Sequence, residues 1–453
     1  MVWAVVLVIT QALNVGASER YATIAAALAA AQPGDTIRVG PGHYRERLSI
    51  DVPVVLLGEG RPIIDGGGEG TVVRIHAPAV ISGFVIRSSG RILDREDAGI
   101  LVAADSCLVS DNMLEDVLFG IYLKDSQGTR VRDNSVVGKD RPLGMRGDGI
   151  RLWNSNDALV ERNVVRRTRD VVVYFSNGLN FRHNLVTHGR YGLHYMYSSN
   201  NVFEQNEFAY NDVAAFIMYS SDIALRGNVF AHASGRSGFG IGLKDADRIE
   251  VSGNLIVQNK TGLYFDNSPN AAGVQNEIRD NLIAFNDVGV GLLPSVRENN
   301  FSDNTFLANV RDVSVSGGGT ALANRWAANG WDGATAWDAD GDGYLDFPYR
   351  IDRLSDDLFA RHPELRLFEF SPASLTLDAL GRFFPMLEPK PLVIDSTPRL
   401  LPNRLVLPTD LGLAKANAAR EEREAPLGPA PLASILWLGL AGLSIYGVWK
   451  WPL

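Results

Sequence analysis

From Gly120 onward apolar residues alternate with polar ones instead of recurring every third or fourth position. In GIYLKDS, Ile121 and Leu123 fall on one side and Tyr122 and Lys124 on the other, which is strand period and excludes leucine-rich or helical-pair repeats. Each run opens on a small residue, and fourteen positions later stands an Asn: Gly120 to Asn134, Gly149 to Asn163, Gly192 to Asn206 and Gly240 to Asn254. Asp170 to Asn184 and Ala214 to Asn228 keep the spacing with a different first residue. The Asn residues at 112, 134, 163, 184, 206, 228, 254, 281 and 304 stand 22, 29, 21, 22, 22, 26, 27 and 23 apart. A unit of about 22 residues cannot bury its own apolar face and must stack on copies of itself. Three short strands and three turns per unit predict an all-β, right-handed parallel β-helix. The recurrent Asn is expected to take a left-handed turn and to bond its amide to the next coil.

The flanks divide the chain further. Residues 18–50 contain an Ala-rich helical run and a Pro-Gly-Asp turn, the N-terminal cap that stacked repeats need. Coils are expected over 51–323, and a C-terminal irregular and helical cap and docking tail over 324–400. Residues 401–431 form a charged, Pro-bearing linker. VWAVVLVITQALNVGAS at the start matches a signal-peptide core with a cut after Ala17, residues 1–17, although it lacks the basic n-region. LASILWLGLAGLSIYGV near the end, followed by Trp449 and Lys450, predicts a transmembrane anchor over 432–449. Together they place the protein in the periplasm or on the outer face of the cytoplasmic membrane, tethered by its C-terminus.

Composition narrows the partners. The net charge of −9 argues against nucleic acid. Cys107 is the only cysteine, so no internal disulfide forms. The pectin-lyase-like solenoid hosts polysaccharide-cleaving enzymes, which need paired carboxylates on one strand face. Aligning the units gives two outward ladders: Tyr122, Arg151, Val172, His194, Phe216, Gly242, and Lys124, Trp153, Tyr174, Met196, Met218, Lys244. Neither holds an acid, so no catalytic residues are assigned and the protein is not read as an enzyme, although the turn residues Asp125, Asp148, Asp245 and Asp266 remain. His194 and Met196 share a strand face and Met218 lies one coil on, an imidazole and two thioethers that suit Cu(I). Trp153, Tyr174 and Phe216 adjoin them as a docking face. The bland reading is that loops or the tail cover these side chains.

After the coils, Asp338, Asp340, Asp342 and Asp346 follow D-x-D-x-D-G-x-x-D. Oxygen ligands at such spacing suit Ca²⁺, but Tyr349 stands where an EF-hand needs Glu. The alternative is an Asp/Gly turn held by its own side-chain bonds.

At GRYGLHYMYSSNN (189–201), NRWAANGWDGATAWDADGDGYLDFPYRIDRL (324–354) and ARHPELRLFEFSPASLTLDALGRFFPMLEPKPLVIDS (360–396), the chain resembles the NosD family of periplasmic maturation proteins for nitrous oxide reductase. The resemblance covers roughly residues 20 to 400. It implies a β-helix rod on an ABC transporter, with an ATPase and a membrane subunit, serving assembly of the enzyme's copper–sulfur centre beside a copper chaperone lipoprotein. Copper is then the expected metal. Two departures stand out: the membrane segment, and Asp395-Ser396-Thr397-Pro398 where the family carries a D-S-H-P-like stretch. The competing reading is an exported β-helix that binds or cleaves polysaccharide; it requires acids in a groove.

Overall fold

The computed structural model describes residues 12–400 apart from 335, 336, 353, 370 and 384–389. All of them lie in one compact unit spanning Met1–Leu405. The chain is a parallel β-solenoid. Thirteen closing strands, from His43–Tyr44 to Gly330–Trp331, stack into one sheet, and the leading and middle strands of the coils form a second of 24 strands. The strand period is kept: in Ile150–Trp153 and Tyr191–Met196 inward residues are fully buried and outward ones half-buried. Leading and middle strands merge in two coils, Val213–Arg226 and Phe239–Ser252.

Inside, aromatic side chains stack from coil to coil. Phe208 lies over Phe230 with centroids 5.4 Å apart, Phe301 over Trp326 at 4.1 Å and Phe306 over Trp331 at 4.2 Å. The small residue opening each unit is a steric requirement. A Cβ on Gly120 would sit 2.2 Å from the Gly149 carbonyl oxygen, and one on Gly192 2.5 Å from that of Ala214.

The recurrent Asn residues form a buried ladder. Each side-chain oxygen accepts from the backbone N–H and the amide of the Asn one coil before, as Asn206 does from Asn184 at 2.9 and 3.0 Å. Each amide also donates to a carbonyl of an earlier coil, Asn206 to Phe181 at 2.8 Å. The ladder runs from Asn112 to Asn329 and ends on Asp395, whose Oδ2 takes the Asn329 backbone N–H and amide and the Trp331 indole N–H. These Asn residues are not the left-handed ones, contrary to expectation. That conformation falls on the residue before, at Asp133 (φ 57), Arg162 (φ 53), His183 (φ 55) and Gln205 (φ 52). A right-handed or extended Asn aims its amide inward along the stack, while its predecessor makes the corner.

The coils reach beyond 51–323 at both ends. Ala12–Val15 pairs in parallel with Thr36–Val39 and buries Leu13 and Val15. The expected leader cut after Ala17 falls just C-terminal to this strand. The helix Ile24–Ala30 packs Ile24, Ala27 and Leu28 onto the core, with Glu46 accepting from the Ile24 and Ala25 N–H groups at 3.0 and 2.8 Å. Arg325–Ala327 and Gly330–Trp331, assigned to the tail from sequence, complete the last coil. Beyond it, Tyr349–Ile351 pairs antiparallel with Val393–Asp395, and two helices follow at Leu354–Arg361 and Pro372–Phe383. Among the described residues no helix is long and apolar enough to cross a membrane. The predicted linker and anchor, 401–449, lie outside the described residues, as do residues 1–11 of the expected leader.

Replacing Asn206 by Ala removes the buried partner of the Asn184 N–H and of the Phe181 carbonyl, while the Asn184 amide keeps the Val160 and Arg182 carbonyls. At about 1–3 kcal/mol for each buried group left unpaired, loss of about 2 kcal/mol or more is expected. Chemical denaturation of wild type and Asn206→Ala measures it, and a loss below about 1 kcal/mol would reject the ladder as a stabilising element.

Candidate functional site

Both outward ladders are in register as the sequence indicated. Tyr122, Arg151, Val172, His194, Phe216 and Gly242 pair in succession, and so do Lys124, Trp153, Tyr174, Met196, Met218 and Lys244. The face between them is half-buried at Trp153, Tyr174, His194, Met196, Phe216 and Met218. Tyr122 is covered, packed with Leu118, Phe119 and Leu93 beneath the loop that carries Leu93–Arg95.

The ladders hold no acid, but the sheet face does meet acids, which corrects the sequence reading. Asp170 opens its unit where most other units have Gly or Ala. The register slips there, Asp170 pairing with Tyr191 while Val172 pairs with His194, and such a bulge re-aims a side chain. The buried Asp170 carboxylate takes two hydrogen bonds from Arg190 and one from the Tyr191 N–H at 3.1 Å. It lies 3.3 Å from His194 Nδ1. The Tyr174 hydroxyl is 2.9 Å from Nδ1 and 3.1 Å from Nε2 of the same ring, and Tyr191 stacks on it with centroids 4.7 Å apart. One coil earlier the buried Asp148 accepts from Arg169 Nη2 and Nε at 2.8 and 3.1 Å. Arg151 bridges Asp148 at 3.7 Å and Glu96 at 3.0 Å, its guanidinium 4.9 Å from the Tyr122 centroid and 5.4 Å from that of Trp153.

These environments push two carboxylates apart. Burial raises Asp148 to about 6, Arg169 pulling against it and the nearby Asp170 charge adding to it. Burial also works to raise Asp170, but the His194 and Arg190 hydrogen bonds overcome it and hold the carboxyl below its usual range. Burial, with the Asp170 charge, raises Tyr174, so its phenol stays protonated.

His194 is therefore the middle of a polar network, not an open ligand. Met196 and Met218 are neighbours in register. Trp153 meets Tyr174 and Phe175 edge-on at 6.0 and 5.1 Å, and Phe216 lies between Tyr191 and Phe239 at 6.2 and 5.9 Å. Sequence reasoning missed the corner beside this face. Phe175, Tyr197 and Tyr219 stack at 5.4 and 5.2 Å, all exposed, with φ of 52, 49 and 51°. The same corner in other coils is Asp125, Asn154, Asp245 and Asn267, residues that tolerate a left-handed backbone. Their 22-residue spacing was the available signal.

The acidic loop gathers three of its four predicted ligands. Carboxylate oxygens of Asp338, Asp340 and Asp342 lie within 4.8 Å of one another. Asp346 instead accepts from the Ala339 N–H at 2.9 Å. Asp338 takes the Gly341 and Gly343 N–H groups, Asp340 that of Asp342, and Asp342 that of Tyr344, the self-bonded turn of the alternative reading.

Asp148 gives a pH test. Its native pKa lies above the unfolded value of about 3.9, so its share of stability is complete below about pH 4 and is lost as pH rises through 6. Asp148→Asn cannot ionise. Its stability relative to wild type should therefore rise between pH 4 and 7, by up to about 3 kcal/mol; denaturant midpoints at both pH values give the difference, and a constant gap would contradict the assignment.

Residues 135–336 match the family description "Periplasmic copper-binding protein (NosD)". A protein of Pseudomonas aeruginosa named probable ABC transporter binding protein NosD is 28% identical over 375 residues, 79% of this chain and 86% of the relative. Its namesake in Stutzerimonas stutzeri is 26% identical over 390 residues, 82% and 88% of the two chains. Among solved structures, the A-module of the Azotobacter vinelandii mannuronan C-5 epimerase AlgE6 superposes with a TM-score of 0.54 at 15% identity, over 69% of this chain and 94% of that one. An α-1,3-glucanase of Streptomyces thermodiastaticus gives 0.50 at 17%, over 69% and 65%. These two share the β-helix fold alone. The match over residues 135–336 and the two relatives, each aligned over about four fifths of this chain, support a NosD family assignment.

Proposed function

We propose that the protein is a periplasmic maturation factor supporting assembly of the copper–sulfur centre of nitrous oxide reductase. It acts as a scaffold on an ABC transporter, with its ATPase and membrane subunit, beside a copper chaperone lipoprotein. The observation that carries this reading is the sheet face on which Met196 and Met218 pair in register two residues from His194. Thioether and imidazole are the donors that select Cu(I) over harder cations. Copper is cargo here, and these donors fit it in chemistry and in placement on one face. A polysaccharide enzyme is less well supported, because Asp148 and Asp170 are both locked in arginine pairs instead of flanking an open groove.

The C-terminal tail supplies the attachment. Arg311 bonds Glu369 at 2.9 and 3.0 Å, fixing the helical segment to the last coils. That segment leaves Leu367, Phe368, Leu375 and Phe383 exposed, an apolar surface of the kind that marks a contact site. We assign it to the transporter's membrane subunit, with residues 432–449 as the membrane tether and the docking face at Trp153, Tyr174 and Phe216 left for the soluble partners.

Cu(I) titration of the protein against a competing chelator should show binding that His194→Ala with Met196→Ala weakens at least tenfold, about 1.4 kcal/mol. No wild-type binding, or an unchanged double variant, would overturn the copper strip. Phe383→Asp with Leu367→Asp should reduce co-purification with the membrane subunit without lowering the melting temperature; retained co-purification moves the attachment elsewhere. Deleting residues 430–453 should release the protein from washed membranes, and a variant still in the pellet places the tether in another segment.

A further inference from the structure

We infer that Asp170 is a positioning residue for His194, fixing the imidazole with its proton on Nδ1 and its lone pair on Nε2, where a soft cation would bind. The inference rests on the copper reading for its purpose, though not for its geometry.

Asp170 stands at a coil opening where Gly120, Gly149, Gly192, Ala214 and Gly240 stand in other coils; Asp312 is a second acid at such an opening, in the last leading strand. The bulge at this position turns its carboxylate out of the coil to within 3.3 Å of His194 Nδ1. Arg190 and the Tyr191 N–H hold the carboxylate in place, so it meets the ring as a fixed acceptor. An ionised carboxylate accepts only, and the nitrogen facing it must carry the proton. The remaining nitrogen, Nε2, then has a free lone pair; the Tyr174 hydroxyl, 2.9 Å from Nδ1 and 3.1 Å from Nε2, lies over the ring and not in the ring plane where that lone pair points.

The groups packed around the ring are all accounted for by this arrangement. Tyr191 covers one face at 4.7 Å and Tyr174 meets it nearly perpendicular at 80°. Arg190 is 4.8 Å from the Tyr191 ring and neutralises Asp170. Histidine ligands in metal sites donate their second N–H to a carboxylate in this way, which fixes ring orientation and raises basicity. Cu(I) binding at Nε2 forms one coordination bond, and no electron or proton leaves the site.

The test uses the full chain with its histidines labelled with ¹⁵N. Long-range ¹H–¹⁵N correlation spectra of the metal-free protein should show His194 protonated on Nδ1, the resonance being assigned with His194→Gln. In Asp170→Asn the side-chain amide can donate to Nδ1, and the proton should move to Nε2, as happens when a histidine's orienting carboxylate becomes an amide. Cu(I) alone, titrated against a chromophoric chelator, should bind that variant about 10- to 100-fold more weakly. A wild-type proton on Nε2, or Asp170→Asn with unchanged tautomer and affinity, overturns the positioning role. If Asp170→Asn does not fold, the wild-type tautomer decides alone. The expected tautomers with no Cu(I) binding by wild type would leave the positioning intact and remove the copper reading instead.

Discussion

The vertical hydrogen bond between Asn side chains is the constraint on which the rest of this structure depends. Parallel strands alone fix only the distance between coils. A carboxamide that must meet both the backbone and the side chain of its counterpart one coil away fixes their phase as well. Because a one-residue slip in a strand reverses every side chain, this phase lock decides which residues line the core and which face out. It does so through loops of different length: successive Asn residues are 21 to 29 apart in sequence, yet every rung closes. Extra residues are expelled into the corners, where the segments around Leu93–Arg95 and Leu143–Met145 arise.

The outer face inherits that phase. His194, Met196 and Met218 are brought together by nothing more than stacking coils in register, and the same stacking places Tyr174 against His194. A local departure, the slip at Asp170, introduces the carboxylate that touches the histidine. A local irregularity in a regular lattice is an economical way to build a specific environment, since it needs no supporting domain. The backbone strain at Phe175, Tyr197 and Tyr219 belongs to the same region. Aromatic side chains in left-handed conformation are costly, and here three consecutive coils carry them beside the His194 face.

Much of this was legible in the sequence, and the misses have physical reasons. The spacing of Asn112 to Asn304 gave the coil, and alternation gave the faces, because both are one-dimensional consequences of a fixed period. The two outward ladders were correct residue by residue for the same reason. What alternation does not encode is a side chain that enters a face from the corner, so Asp148 and Asp170 were read as turn and spacing features and not as neighbours of His194. The coils extend past 51–323 at both ends: the first strands lack the Asn signature, whereas at the far end Asn324 and Asn329 carry it one coil beyond Asn299 and Asn304. Asp395 was noted only for a missing neighbouring histidine, whereas its carboxylate terminates the ladder and receives three donors; a partner 66 residues away leaves no periodic trace.

The stacking of coils also turns distance along the rod into a counted quantity. From His194 the ladder steps through Phe216, Gly242, Tyr264 and Gly291 to Ser314, five intervals, or about 24 Å at about 4.8 Å each. Near Ser314, Arg311 grips the helical tail through Glu369. The distance from the tail contact to the His194 face is thus set in whole coils. Gain or loss of one repeat would move that face by a single increment while leaving both ends chemically unchanged.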